Sequence, residues 1–189
     1  MEKKIFMARV ADQAERYEDM VEFLKEIMSE SEEDLSVDVR NLLSVGFKNL
    51  IGSRRAAWRT VSAIEQNKKY ESYSGNCAEY KTKIEDELAD LCNDIIKAVE
   101  ERSLPKADSP ESKTFYLKMI GDYYRYIAEC VKGDKLADVT AKADEFYGKA
   151  TEEAKNLPTY NSTRLGLALN YSVFYYELKN DSGTACKLA

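Results

Sequence analysis

No histidine occurs anywhere in the 189 residues. Its absence removes the commonest general base, the usual metal ligand and any Ser-His or Cys-His nucleophile pair. The four cysteines, Cys77, Cys92, Cys130 and Cys186, stand far apart and form no CxxC, so a zinc or redox motif is not supported. Reduced thiols packed in helices are the expectation. No metal or cofactor is expected, and no catalytic constellation is present, so the chain is not read as an enzyme. It also lacks a run of 18 apolar residues and an N-terminal signal-peptide pattern. That points to a cytoplasmic protein, with the nucleus also open, and to no membrane insertion. Only three prolines and eight glycines interrupt the chain. With few breakers and many Ala, Glu, Lys and Leu, an all-α chain is expected.

A third of the residues are charged and 44% are apolar, which fits one globular domain with a sizeable core over residues 1–189. The pattern predicts helices over 3–17, 19–30, 37–67, 77–101, from 109–110 to about 132, 135–156 and 163–179. Ser36 reads as a cap for the third and Pro110 as the first turn of the fifth. The stretch SLPKADSPES (103–112) reads as a loop. Gly46 and Gly52, inside the long third helix, cost roughly 1 kcal/mol each against Ala. They are expected to admit a close neighbouring helix.

The chain is acidic, with net charge −6, yet Arg40, Lys48, Arg54, Arg55 and Arg59 form an island with no acid between Arg40 and Glu65. A basic island in an acidic protein marks a place for an anion. At about 100° per residue, Lys48 and Arg55 lie about 20° apart and Arg59 about 40° further on, so the three make one stripe. Converging cations suit a phosphate better than a lone carboxylate. Arg54 points about 100° away. The competing reading is a solvated face with carboxylate partners elsewhere.

Two further clusters carry polar groups at helical spacing. Lys118, Asp122, Arg125, Tyr126 and Glu129 share a face, where the acids can orient the cations and the tyrosine hydroxyl can donate to a phosphate. A surface salt-bridge ladder is the alternative. Leu165, Leu169, Val173 and Tyr176 form an apolar stripe, with Asn170 and Glu177 beside it. Asn can bond an extended peptide's N–H and C=O together. An ordinary core helix is the alternative there.

Three segments together resemble the 14-3-3 family: RNLLSVGFKNLIGSRRAAWRTVSAIEQ (40–66), YLKMIGDYYRYIAE (116–129) and RLGLALNYSVFYYEL (164–178). The likeness runs nearly continuously to Ala189. It implies an all-α antiparallel helical bundle of the 14-3-3 type, a phosphoserine- or phosphothreonine-peptide-binding adaptor in signalling. Phosphorylated client proteins would be its partners, and it would form a homodimer, with heterodimers open. The dimerisation part would cover about 1–100, and the groove would come from about 37–67, 111–132 and 163–179. By the resemblance, Lys48, Arg55, Arg125 and Tyr126 hold the phosphate and Asn170 clamps the peptide backbone. Leu169 and Val173 line the apolar wall, and Lys118, Arg59 and Glu177 support the groove. Arg16 with Glu87 and Asp19 with Lys83 match charged pairs across the dimer. Val10, Ala14, Ala57, Val61, Ile64 and Tyr80 match its apolar part.

The sequence departs from that pattern in places. Family members run to roughly nine helices, whereas about seven are expected here, the last two missing, with a tail SGTACKLA that begins an uncompleted element. The phosphate pocket is expected to survive and the apolar wall to be half missing. Ile120 stands where relatives usually carry a basic residue, an expected loss of rim charge. Ala56-Ala57 stands where some relatives have a regulatory serine, so that switch is expected absent. The rival functions are a phosphate-independent dimeric helical scaffold or holdase and, against the acidic charge, a nucleic-acid binder.

Overall fold

Side-chain caps at Ser36, Ser109, Asn161 and Asp181 fix where four of the helices begin. In the structure, a computed structural model describing residues 1–189, every regular element is helical and no strand occurs. The chain divides into two compact units, residues 1–30 with 36–95 and residues 31–35 with 96–189.

The first unit holds α1 (Glu2–Gln13), α2 (Tyr17–Glu30), α3 (Val37–Glu65) and α4 (Ser74–Ala98) up to Ile95. Glu15 takes a left-handed φ of 55° in the tight reversal between α1 and α2. The Ser36 hydroxyl accepts from Val39 N and starts α3. On α2, Met20, Val21, Leu24, Ile27 and Met28 are buried at helical spacing. They meet the first half of α3, where Val39, Leu43, Phe47, Leu50 and Ile51 are buried. Gly46 permits this packing: a Cβ there would lie 2.9 Å from Leu24 Cδ1 and 3.1 Å from Met20 Sδ. Gly52 does not share that role, since nothing lies within 4 Å of its Cβ position.

From Gly52 to Glu65, α3 has no fully buried residue. It is tied to α4 by polar side chains: Trp58 Nε1 donates to Glu85 Oε1 at 2.8 Å and Lys81 pairs with Glu65. Arg54, set about 100° from the basic stripe, is half-buried and bonds Glu18 of α2 at 2.9 Å. A 3-10 segment, Lys68–Tyr73, precedes α4, capped by Asn67. The predicted start of α4 was therefore three residues late.

The second unit holds α5 (Pro110–Ala128), α6 (Gly133–Ala154), α7 (Ser162–Glu177) and α8 (Ser182–Leu188). Before α5, a π turn (Val99–Ser103) replaces the predicted end of the fourth helix and a 3-10 turn (Leu104–Lys106) follows at the start of the stretch expected as loop. Pro105 lacks an amide proton, so regular α bonding cannot continue through it. Ser109 and Ser112 then form a reciprocal capping box with Pro110 in the first turn of α5. Asn161 caps α7 by accepting from Thr163 N and Arg164 N. The tail expected to begin a further element is helical, running to the end of the given sequence, and Asp181 starts it by accepting from Thr184 N at 2.9 Å and from its hydroxyl at 2.6 Å. Seven longer helices and this short eighth match the expected all-α bundle.

The inner face of α6 is Val139, Ala143, Tyr147, Ala150 and Ala154, a stripe of small side chains around one large ring. Tyr147 is fully buried and stacks on Tyr171 of α7, centroids 5.1 Å apart. Room for its ring comes from α5: a Cβ on Gly121 would lie 2.9 Å from Tyr147 Cδ1. Leu117, Leu167 and Phe174 complete this core.

Candidate functional site

The expected phosphate residues are divided between the units, two on α3 and two on α5. On α3, Lys48 and Arg59 are exposed and Arg55 is half-buried. They lie in and beyond the half of the helix where core packing ends. Arg40, counted in the basic island, is buried and does not belong to this exposed face.

On α5 the cations surround one acid. Asp122 is buried and accepts from Lys118 Nζ at 2.8 Å on Oδ2. Its Oδ1 accepts from the Tyr147 hydroxyl at 2.6 Å and from Asn170 Nδ2 at 2.8 Å. Arg125, also buried, donates from Nε to the Tyr147 hydroxyl at 3.0 Å and from Nη1 to Glu129 at 3.4 Å. Its Nη2 lies 3.6 Å from Asp122 Oδ1. The guanidinium carbon lies 4.7 Å from the centre of the half-buried Tyr126 ring. The five residues are therefore not a surface salt-bridge ladder. They form a network spanning α5, α6 and α7.

The electrostatics follow from that packing. Burial pushes the Asp122 carboxyl up, but the charges of Lys118 and Arg125 and the bonds from Lys118 and Tyr147 hold it below its ordinary 3.8. Burial and the adjacent Asp122 drive the Tyr147 hydroxyl well above its ordinary value. Burial opposes the Arg125 charge, yet the oxygens of Tyr147 and Asp122 more than offset it, so its pKa is raised. Asp122 is thus an anion, Tyr147 neutral and Arg125 a cation at neutral pH.

On α7 the apolar stripe is not core. Leu165, Leu169 and Tyr176 are 56%, 59% and 64% exposed, Val173 is half-buried and Glu177 is exposed, while Leu167 and Phe174 point inward. Asn170 is half-buried between these faces. An ionised carboxylate only accepts, so the Asn170 amide turns its NH₂ to Asp122 and keeps its oxygen as an acceptor.

Two residues were read differently from sequence. Ile120, expected at a charged rim, is 0% exposed and belongs to the interior. An apolar residue suits that position, and no rim charge is lost through it. Tyr147 was not singled out at all. The signal available was a lone large aromatic in an alanine stripe, at i, i+4, i+7 and i+11 from Ala143.

The residues expected at a dimer contact all lie in the first unit. Val10, Ala14, Ala57, Ile64 and Tyr80 are exposed, Tyr80 at 57%, and Val61 is half-buried. Ala57, Tyr80, Lys83 and Glu87, with Ser53, Arg54 and Ile84, line a depression of about 250 Å³. Arg16 and Asp19 pair with each other inside the chain.

The structure is thus all-helical, with cations held by one buried acid, Asp122, and apolar side chains of α7 facing solvent. The 14-3-3 protein family model matches residues 7–189. The chain is 50% identical to a 14-3-3 protein homolog of Trichoderma harzianum, over 100% of this chain and 73% of that one. It is 47% identical to the checkpoint signal transducer rad25 of Schizosaccharomyces pombe, over 100% of this chain and 71% of that protein. It is 48% identical to 14-3-3 protein 3 of Entamoeba histolytica, over 98% of this chain and 78% of that protein. The chain belongs to the 14-3-3 family.

Proposed function

We propose that this chain is a signalling adaptor that binds phosphoserine or phosphothreonine segments of client proteins. Lys48, Arg55, Arg125 and Tyr126 take the phosphate. Asn170 takes the peptide backbone, Leu169 and Val173 its apolar side, and Lys118, Arg59 and Glu177 support the groove. It performs no chemistry on its client. The observation that carries this reading is the buried Asp122 beneath Lys118, Arg125 and Asn170. A buried carboxylate is expensive unless fully bonded, and here it presets the donors that an incoming phosphopeptide needs.

The chain acts as one domain, with residues of about 1–100 forming a homodimer and two grooves per dimer bridging client sites by avidity. No helix is long and apolar enough to cross a membrane, and clients are met in the cytoplasm or nucleus. The test is Lys48→Glu: phosphopeptide binding is lost while the circular dichroism spectrum is unchanged. Unchanged affinity in that variant would remove the assigned site.

The exposed Leu165, Leu169 and Tyr176 favour one second reading, a phosphate-independent helical scaffold or holdase. Client binding that survives phosphatase treatment would select it.

A further inference from the structure

The Tyr147 hydroxyl has one proton, and it goes to Asp122 at 2.6 Å. What the hydroxyl can turn towards Arg125 is therefore a lone pair, and Arg125 Nε donates to it at 3.0 Å. The direction of every bond is then fixed: Arg125 to Tyr147, Tyr147 to Asp122, and Asn170 to the same Asp122 oxygen. With Nε held on one side and the Tyr126 ring at 4.7 Å, the plane of the guanidinium is set before any anion arrives.

We propose that Tyr147 is a positioning residue of the phosphate site. Its hydroxyl, clamped by Asp122, orients the Arg125 guanidinium, and the same carboxylate orients the Asn170 amide. One buried acid thus aligns the anion contact and the peptide-backbone contact together. Tyr147 itself is 0% exposed, so any part it plays in binding passes through its neighbours. This inference rests on the reading of Arg125 and Asn170 as phosphate and peptide contacts. Fixing a bidentate donor in advance removes ordering cost from binding.

The alternative for Tyr147 is a space-filling ring, since it packs on Tyr171, Phe174 and Gly121. A phenylalanine keeps that packing and removes only the hydroxyl. Binding of a labelled phosphoserine peptide is measured for the wild-type chain, Tyr147→Phe, Arg125→Lys and the double variant, with thermal midpoints alongside. Tyr147→Phe is expected to weaken binding about tenfold. In the Arg125→Lys background the same change is expected to cost about twofold or less, because the guanidinium it orients is gone. Equal losses in both backgrounds, or no loss in either, would overturn the role.

A second readout needs no variant. In the free wild-type protein the Arg125 Nε–H nitrogen signal is expected to be protected from solvent exchange, and rapid exchange would contradict the tie to Tyr147. Should the wild-type chain bind no phosphopeptide, the reading beneath this inference fails, while the exchange signal still decides whether Tyr147 holds Arg125.

Discussion

Tyr147 occupies the space that a side chain on residue 121 would need, its Cδ1 standing 2.9 Å from the Cβ position of Gly121. The obstacle is a fully buried ring held by hydrogen bonds to Asp122 and Arg125, so it cannot swing aside as a flexible chain end would. Gly121→Ala is expected to destabilise the fold by about 1–3 kcal/mol despite the better helix propensity of alanine. Gly52→Ala, with nothing within 4 Å, is expected to stabilise it by up to about 1 kcal/mol. Denaturant melts of the two variants check the opposite signs.

Acid stability should depend on Asp122. Its folded pKa lies below the ordinary 3.8, so on acidification the unfolded chain takes up the proton first. The stability that this carboxylate contributes is full above about pH 5 and is lost as pH falls through 3.8 towards the depressed folded value. Asp122→Asn lacks this contribution and should give a shallower acid limb. Unfolding free energy measured between neutral pH and acid would contradict this if both proteins lost stability in parallel.

The proposed dimer contact is testable by charge reversal. Lys83 is exposed and lines the same depression as Tyr80 and Glu87. In the proposed homodimer Lys83 faces Asp19 of the partner subunit, so Lys83→Glu would set like charges there, and two-fold symmetry repeats the clash. Dimer dissociation is expected to rise on the order of tenfold. Sedimentation equilibrium reads this directly, and an unchanged constant would place the contact elsewhere.

Much of the architecture was legible because local chemistry writes it: Ser36 and Pro110 mark helix starts that the structure keeps. Spacing set the angular placement of Lys48, Arg55 and Arg59 on α3, but not whether they face an anion or carboxylates, and in the structure Lys48 and Arg59 are exposed and Arg55 half-buried. Ile120 and Tyr147 were not legible, because their surroundings come from other helices. A residue between Met119 and Gly121 can face the rim or the interior, and only packing decides. The turns from Val99 to Lys106 were missed for a related reason: Pro105 signals a break, but π and 3-10 turns can carry the chain into it. Asp181 could have signalled α8, since it stands three residues before Thr184, an ordinary capping distance.

The central claim is that this chain recognises phosphate on a peptide through Lys48 and its companions. Fluorescence anisotropy with a phosphoserine peptide and its unphosphorylated twin, on the wild-type chain and Lys48→Glu, tests it most directly. The account predicts saturable binding of the phosphopeptide alone to the wild-type chain, and none to the variant. Equal binding of both peptides, or a variant that binds as well as the wild-type chain, would contradict it.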